Sequence, residues 1–162
     1  MPSIPGPLGL AQYPLSSFFY VVEIGDDPKK AVIGASFTEV AGLTQEIETI
    51  DYRDGFDLIT VPRKIPGRKK YGNVTLTRGV FHHNVEFQEW VNSMIYNDIE
   101  RKIVRVSLLD SAGLPVIQWI LSNAYPIKIE GPSLKSEGNE IAFESIELVH
   151  EGIKVEHFGE SF

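Results

Sequence analysis

The chain has 162 residues, with 43% hydrophobic and 23% charged side chains and a formal net charge of −7 at pH 7. These values are ordinary for one globular domain, which we expect to span residues 1–162, and the acidic balance argues against a general nucleic-acid coat. The absence of cysteine excludes disulfides and thiolate metal sites.

The chain begins with a proline- and glycine-rich segment, residues 1–12. This segment has no basic stretch ahead of an apolar one and is interrupted by prolines, so it is a poor candidate for a signal peptide. No apolar run in the sequence approaches the roughly 18 residues that a membrane span needs. We therefore expect a soluble protein.

Three segments in the first half have the composition of β-strands. Phe18–Ile24 is rich in aromatic and β-branched residues. Phe37–Tyr52 is a longer β segment in which Gly42 marks a bend or bulge. Asn73–Val80 alternates valine and leucine with two threonines, which is the period of a half-buried strand.

A long polar connection between Ile50 and Asn73 is the most unusual stretch of the sequence. We predict an irregular loop of about twenty residues, a length that usually has a function. Such a loop can be a solvated tip whose charge prevents aggregation, a nucleic-acid site, for which only Tyr71 offers a nearby stacking ring, or an interface between subunits. Acidic residues precede its cations, so the charges pair within one subunit or across subunits, and the sequence leaves both open. The basic cluster comprises Arg63, Lys64, Arg68, Lys69 and Lys70.

Asn84–Asp98 is the one segment with a helical period. Asn84 is suited to the N-cap, and Glu86 lies in the first turn, where a carboxylate interacts favourably with the helix dipole. Apolar residues at spacings of three and four form one stripe, as expected for an amphipathic helix. They are Phe87, Trp90, Val91, Met94 and Ile95.

The second half of the chain contains further strands and turns. A turn is predicted at Asp110–Pro115, a break at Gly131-Pro132, and a C-terminal tail at residues 153–162. The fold class is therefore mostly β (α+β), an antiparallel β-barrel or two-sheet sandwich with one amphipathic helix. The predicted strands are Ile103–Leu109, Val116–Leu121, Ile127–Glu130 and Glu140–Val149.

No catalytic constellation stands out in the sequence. His82 and His83 precede Glu86, but two further metal ligands are not evident nearby. His150 and His157 are single histidines near acids, a pattern typical of surface pairs. There is no nucleophile elbow, zinc-protease motif or phosphate loop. We expect neither enzymatic activity nor a cofactor.

Six sequence blocks occur in series between about residues 13 and 152. The most specific is Ile50–Val80, where Tyr-Arg-Asp-Gly, Arg-Lys-x-Pro-Gly and Lys-Tyr-Gly-Asn-Val-Thr-Leu follow one another. The other blocks are Tyr13–Leu15, Phe37–Leu43, Leu108–Gly113, Trp119–Pro126 with Glu130–Pro132, and Asn139–Ala142 with Glu147–Gly152. In this order the blocks resemble the inner tail-tube proteins of contractile phages and of related contractile injection systems.

The resemblance implies the fold shared by tail-tube proteins and the hemolysin-coregulated protein of type VI secretion. It implies a structural subunit whose hexameric rings stack around a lumen for DNA or protein cargo. The implied partners are further copies of the chain and the sheath, baseplate or tip, tape-measure and tube-terminator proteins. The particle would be assembled in the bacterial or host cytoplasm, as a virion tail or as an injection particle.

The resemblance and the strand faces together give three groups of candidate interface residues. The ring-to-ring group is Asp51, Arg53, Asp54, Arg63, Lys64, Pro66, Gly67 and Lys70. The second interface loop is Gly131, Pro132, Asn139 and Glu140. The lumen-facing group is Thr44, Glu46, Glu48, Thr75 and Thr77, whose polar strand faces would simply be solvated in an isolated domain. The main alternative is a monomeric β-barrel that binds a ligand in an apolar cavity.

Overall fold

The computed structural model describes residues 19–26, 37–56, 58, 61–80, 85–94 and 98–159. Within these ranges the chain is mostly strand, with one short helix. The elements in chain order are β1 (Tyr20–Ile24), β2 (Phe37–Ala41), β3 (Gln45–Tyr52), β4 (Arg63–Tyr71), β5 (Val74–Gly79), α1 (Glu86–Asn92), β6 (Lys102–Leu109), β7 (Pro115–Glu130), β8 (Phe143–Val149) and β9 (Gly152–His157).

Seven of the described strands form one sheet that consists of two halves joined by β7. The first half has the order β1-β6-β7-β9 and the second half the order β7-β8-β5-β2. β3 and β4 form a separate two-stranded sheet. Each of these pairings is antiparallel, which confirms the predicted fold class.

One face of each half packs into a common apolar core. Val22 and Val106 are direct partners on β1 and β6, and Leu76 and Ile146 are direct partners on β5 and β8, so inward-facing residues meet in layers. Alternation on β5 is as predicted, with the threonines on the outer face. The buried core residues are Val22, Ile24, Val74, Leu76, Phe87, Trp90, Val104, Val106, Leu121, Ala124, Ile146 and Leu148.

The helix is shorter than the sequence predicts. Val85 occupies the N-cap position without a capping side-chain hydrogen bond, and Asn84, the predicted cap, lies outside the described residues. Ser93 follows the last helical residue, and its hydroxyl donates to the Trp90 carbonyl at 2.6 Å, a local bond that competes with helix continuation. Trp90 Nε1 donates to the Glu100 carbonyl at 2.9 Å, which fixes the helix to the segment before β6.

The prediction of two separate strands, Val116–Leu121 and Ile127–Glu130, was wrong. A single strand, β7, continues for 16 residues through the expected gap between them. Asn123 has a φ of 50° there, and the register with β8 shifts between Pro126 and Lys128. The bend lets the first part of β7 pair with β6 and β9 and the last part with β8. Glu151 supports the bend, since it accepts a hydrogen bond from Asn123 Nδ2 at 2.8 Å and forms an ion pair with Arg101.

The expected C-terminal tail is partly a strand. Residues 153–157 belong to β9, which pairs with β7 from Ser122–Gly152 to Ile117–His157. The prediction of a tail was wrong at these positions because β9 forms an edge of the first half of the sheet, a partnership that local sequence does not reveal.

The predicted irregular loop between Ile50 and Asn73 is also wrong. β3 extends to Tyr52 and β4 begins at Arg63, so the basic cluster lies on a strand. Most positions of these two strands are exposed, so their sequences lack the alternation that identifies a half-buried strand. Pro66 and Gly67 lie at a register shift of the pair, where a proline and a glycine are tolerated in a strand.

Candidate assembly interface

The antiparallel pair β3–β4 and its connection, residues 53–62, form a hairpin that we call the arm. β3 follows β2 through Gly42–Thr44, and β4 leads into β5 through Gly72–Asn73, so the arm continues the β2–β5 pair beyond the end of the main sheet. In the described chain its strands pair only with each other. Because a lone two-stranded hairpin is marginally stable in water, the arm needs a further surface to pack against.

The arm carries apolar side chains that the subunit leaves exposed. Ile50 lies directly opposite Ile65, with Tyr52 on the same face two residues along β3. Each of the three is about half exposed. Gly67 gives this face room, because a Cβ there would lie 3.2 Å from Ile50 Cγ1. Fully burying a side chain of this size contributes about 1.5–3 kcal/mol, so the face favours contact with a partner.

The connection at the end of the arm is still more exposed. Phe56 and Leu58 are 96% and 101% accessible, and Val61 is 68% accessible. Three large apolar side chains on one short connection are unusual for an isolated soluble domain. The arm therefore has an apolar end as well as an apolar face.

Charges on the arm pair within the subunit. Glu46 lies opposite Lys70, and Asp51 lies opposite Lys64. The Lys70 ammonium also forms an ion pair with Glu48, and the hydrogen bond from Lys70 to this carboxylate is the main reason that the pKa of Lys70 is raised. The Lys70–Glu48 ion pair lies within one subunit, which is one of the two arrangements that the sequence leaves open.

All eight residues of the predicted ring-to-ring group lie on the arm. Asp51 is on β3, Arg53 and Asp54 are in the connection, and the other five are on β4. The structure thus brings the group together, whereas a contact with a second ring stays a prediction.

The base of the arm is a tight backbone crossing. Gly42 has a φ of 89°, and a Cβ there would lie 2.0 Å from the Asn73 carbonyl oxygen, so only glycine fits. Gly72 N donates to the Thr44 carbonyl at 3.2 Å across the crossing. Thr44, predicted on the strand with the lumen-facing group, lies in this turn before β3.

His150 is a residue that sequence reasoning misplaced. It was expected on the surface, but it is 8% exposed, and its Nε2 lies 2.9 Å from the Gly72 carbonyl oxygen. Its ring also lies beside that of Tyr71, with centroids 5.6 Å apart. His150 therefore connects the end of β8 to the base of the arm. No local signal in the sequence indicates this role, because the contact joins segments 78 positions apart.

The second predicted interface group lies at the other end of the sheet. Gly131, Pro132, Asn139 and Glu140 are all in the connection between β7 and β8, residues 131–142. The Val80 backbone N–H donates to the Ala142 carbonyl at 2.9 Å, which attaches this connection to the end of β5. The arm begins at the opposite end of β5, so the two predicted interface groups are separated by the length of that strand.

The lumen-facing candidates divide between two surfaces. Thr75 and Thr77 are on the outer face of β5, beside Glu147 and Ser145 of β8. A shallow recess of about 100 Å³ lies at Thr75, Lys128, Glu130, Ser145 and Glu147. A hydrogen bond from Lys128 and the charge of its ammonium hold the pKa of Glu130 below its ordinary value. Glu46 and Glu48 lie instead on the arm, next to Lys70.

The described residues offer no metal-binding group of three or more His, Asp or Glu side chains. His82 and His83, considered from the sequence as metal ligands, lie outside the described residues. None of the helices within the described ranges has the length and apolarity needed to cross a membrane. What the described surface does offer is a large exposed hairpin, open sheet edges and a polar outer sheet face, which are features of a protein that assembles.

Comparison with known proteins shows the family of the chain. The family model described as T4-like virus tail tube protein gp19 matches residues 16–154. No curated protein sequence matches the chain significantly.

Several solved structures are similar to the chain, and three of them are described here. The cap of the anti-feeding prophage has a TM-score of 0.80 at 32% identity, covering 91% of this chain and 93% of the other. The sheath–tube complex of the PVC extracellular contractile injection system gives 0.79 at 32% identity, covering 91% and 94%. Hcp1 from Flavobacterium johnsoniae gives 0.55 at 13% identity, covering 87% and 97%, which shows a common fold alone.

Proposed function

The chain belongs to the tail tube protein family and is a structural tube subunit, and we propose that its copies close into hexameric rings that stack around an open lumen. The observation that carries this proposal is that, within the described residues, the strands of the arm pair only with each other and the second half of the sheet has two open edges. Each of these features favours aggregation in a monomer, whereas in an assembly it can pair with a neighbouring copy.

The open edges suggest how a ring closes. The second half of the sheet has the order β7-β8-β5-β2, with neighbours antiparallel, so β2 and β7 run in opposite directions. Rotation about a ring axis keeps each strand's direction relative to that axis. The β7 edge of one copy therefore meets the β2 edge of the next in an antiparallel arrangement, and the sheet continues around the ring without a free edge.

Closure of the ring in this way also determines which face of the sheet lines the lumen. One face of the second half is occupied by the core, where Val74 and Leu76 are buried, so its outer face lines the enclosed space. Thr75, Thr77 and Glu147 then face the lumen, which is polar as a water-filled conduit requires. Glu46 and Glu48 are on the arm, and Thr44 is at its base. These three residues therefore face the lumen only if the arm itself lines it.

The arm joins one ring to the next in this proposal. It extends beyond the end of the sheet along the course of β2 and β5 and carries the whole predicted ring-to-ring group. The connection 131–142 forms a second contact between copies. Both surfaces lie at ends of the wall that the rings build.

The remaining partners follow from the assembly. Solved complexes similar to the chain at 32% identity contain a sheath and a tube terminator, and we propose that this tube is likewise surrounded by a sheath and capped. A baseplate or tip and a tape-measure protein would complete the particle, which assembles in the bacterial or host cytoplasm. The tube carries DNA or protein cargo, and the subunit itself performs no reaction and does not bind membranes.

The alternative of a monomeric ligand-binding barrel receives no support from the described residues of the core. Leu121, Ile146 and Leu148 fill the space between the halves and are fully buried. The shallow recess at Thr75 opens on the outer sheet face and is lined by polar residues. A ligand barrel needs an apolar cavity inside the fold.

Negative-stain electron microscopy of the concentrated, untagged protein tests the proposal. Rings with six-fold symmetry, or hollow tubes, are the expected result. A protein that stays monomeric near 18.1 kDa even with its baseplate partners would overturn the tube and return attention to the ligand-binding alternative.

A further inference from the structure

The connection of the arm contains an aspartate followed directly by a glycine, Asp54-Gly55. Both residues are exposed, and Gly55 lies in the turn that follows β3. A Cβ placed on Gly55 would meet no atom within 4 Å beyond its chain neighbours. Because glycine has no side chain to shield its own backbone nitrogen, the Gly55 nitrogen is open to approach by a neighbouring group.

The Asp54 carboxyl group is held close to this nitrogen by a local hydrogen bond. The Phe56 N–H donates to Asp54 Oδ1 at 3.4 Å, which is the contact of an Asx turn. The Gly55 nitrogen lies inside the ring of atoms that this contact closes, so Asp54 Cγ is turned towards it. Because protein hydrogen bonds of this type are strongest below about 3.2 Å, the contact is weak and the carboxyl group can still rotate.

Asp110 provides a contrast within the same chain. It also begins a turn, but its Oδ1 accepts hydrogen bonds at 2.9 Å from both Ala112 N and Leu114 N. The residue that follows it is a serine, whose side chain shields the backbone nitrogen. The open glycine and the weakly held carboxyl group therefore distinguish Asp54 from another aspartate in a turn.

We propose that Asp54-Gly55 is a site of spontaneous isoaspartate formation that disables the arm of a subunit that has not assembled. In the protonated Asp54 carboxyl group, Cγ is attacked by the Gly55 backbone nitrogen, and a C–N bond forms. The carboxyl hydroxyl leaves with the proton of this nitrogen as water, and the product is a cyclic succinimide. Water then adds to either carbonyl carbon of the ring, so one water leaves, one returns and nothing is oxidised or reduced. Breaking the Cγ–N bond restores aspartate, whereas breaking the bond from nitrogen to the Asp54 main-chain carbonyl carbon gives isoaspartate.

Isoaspartate changes the arm without changing its composition. The main chain now passes through the former side-chain carboxyl group, so the connection gains a methylene in its backbone and its carboxylate moves. Asp54 belongs to the group predicted to contact a second ring, so we expect modified subunits to be excluded from tubes and assembled tubes to protect Asp54. This consequence rests on the proposed function, whereas the reaction in the free subunit does not.

Ageing of the free subunit tests the site. Subunits kept below the concentration at which tubes form are incubated at neutral pH, and isoaspartate is located by peptide mapping with electron-transfer fragmentation. We expect at least roughly tenfold more isoaspartate at Asp54 than at Asp110, because the Asp110 carboxylate must first release two hydrogen bonds. No isoaspartate at Asp54, or equal amounts at the two positions, would overturn the proposal.

Two variants provide matched controls. Gly55→Ala keeps the aspartate and shields the nitrogen with a methyl group for which there is room, so isoaspartate should fall towards the level at Asp110. Asp54→Glu keeps the charge but requires a larger ring, so this position should stay unmodified. If Gly55→Ala is modified as fast as the natural chain, the open glycine is not the cause and the proposal fails.

Assembly of the aged subunits tests the consequence. After tubes have formed and been sedimented, we expect isoaspartate to be enriched in the subunits left in solution and depleted in the tubes. Equal isoaspartate in the two fractions would overturn the disabling effect. If fresh subunits form no tubes with their baseplate partners, the proposed function fails and this consequence fails with it, whereas the measurement on the free subunit still decides whether Asp54-Gly55 is a modification site.

Discussion

Arg78 and Glu144 lie directly opposite each other on β5 and β8, and Arg78 Nε is 2.5 Å from a Glu144 carboxylate oxygen. Arg78 is only 3% exposed, and its guanidinium carbon lies 3.8 Å from the centre of the Phe87 ring. A buried ion pair beneath a helix links the sheet to α1 at the end where the β7–β8 connection begins.

Replacement of Glu144 by Ala should destabilise the subunit because it leaves the buried Arg78 charge without this carboxylate. Since Glu144 is itself partly exposed, we expect a loss of about 2–3 kcal/mol, or a fall in Tm of roughly 5–10 °C for a chain of this size. Thermal unfolding followed by circular dichroism measures it. Glu156→Ala, which removes the exposed ion pair with Lys154, is the control and should change stability by less than about 1 kcal/mol.

Reversal of charge on the arm should stop assembly. The double variant Arg63→Glu/Lys64→Glu is expected to keep the subunit folded and to abolish tube growth, because it reverses the charge that β4 presents to a neighbour. Circular dichroism checks folding, and electron microscopy checks tube length. Tubes of normal length from this variant would contradict the ring-to-ring role of the arm.

A reciprocal exchange distinguishes charge between copies from charge within the arm. Lys64→Glu alone places two acids opposite each other, since Asp51 is the partner of Lys64, and this weakens the hairpin itself. Asp51→Lys/Lys64→Glu restores an opposite-charge pair with its direction reversed. If this variant also forms no tubes, the two charges contribute to the contact with a neighbouring copy of the chain. Normal assembly would mean that the pair serves only the hairpin.

Gly42→Ala should displace the arm. The new Cβ would meet the Asn73 carbonyl oxygen at 2.0 Å, in addition to the strain of a positive φ. Gly113→Ala is a matched control, because Gly113 has a similar φ of 80° with no atom within 4 Å of the added Cβ. We expect the control to lose about 1–2 kcal/mol from strain alone and still to assemble. Gly42→Ala should lose more stability and give no tubes. If the two variants lose the same stability and both form tubes, the backbone at the base of the arm tolerates the displacement.

The bend in β7 should depend on pH through Glu151. The hydrogen bond from Asn123, followed by the charge and hydrogen bond of Arg101, holds the Glu151 pKa below its ordinary value of 4.5. A group whose pKa is lowered by folding contributes stability above its unfolded pKa and loses it as the pH falls through the folded value. Glu151→Gln should therefore lower Tm at neutral pH, and the difference from the unchanged protein should shrink as the pH falls below 4.5 and vanish only below the folded pKa of Glu151. A difference independent of pH would contradict this account.

The candidate sites were predictable from sequence only in part. The ring-to-ring group was predicted because its motifs resemble a family, and this role stays a prediction, whereas the strand character of Arg63–Lys70 was missed. Periodicity reports burial on one face, and both faces of the arm are exposed in the subunit. For the same reason Glu46 and Glu48 could not be placed: their surroundings are set by Lys70 across the pair.

The sequence by itself determined the antiparallel β class, the alternation of β5, the Gly42 bend and the Asp110–Gly113 turn, in which Asp110 Oδ1 accepts the Ala112 N–H at 2.9 Å. These features are local, since side-chain period, turn residues and glycine conformation act over a few positions. Only the tertiary structure decided that β7 is continuous, that β9 completes an edge and that His150 supports the arm. Each depends on partners far apart in the chain, and a residue's own neighbours do not reveal such a partner.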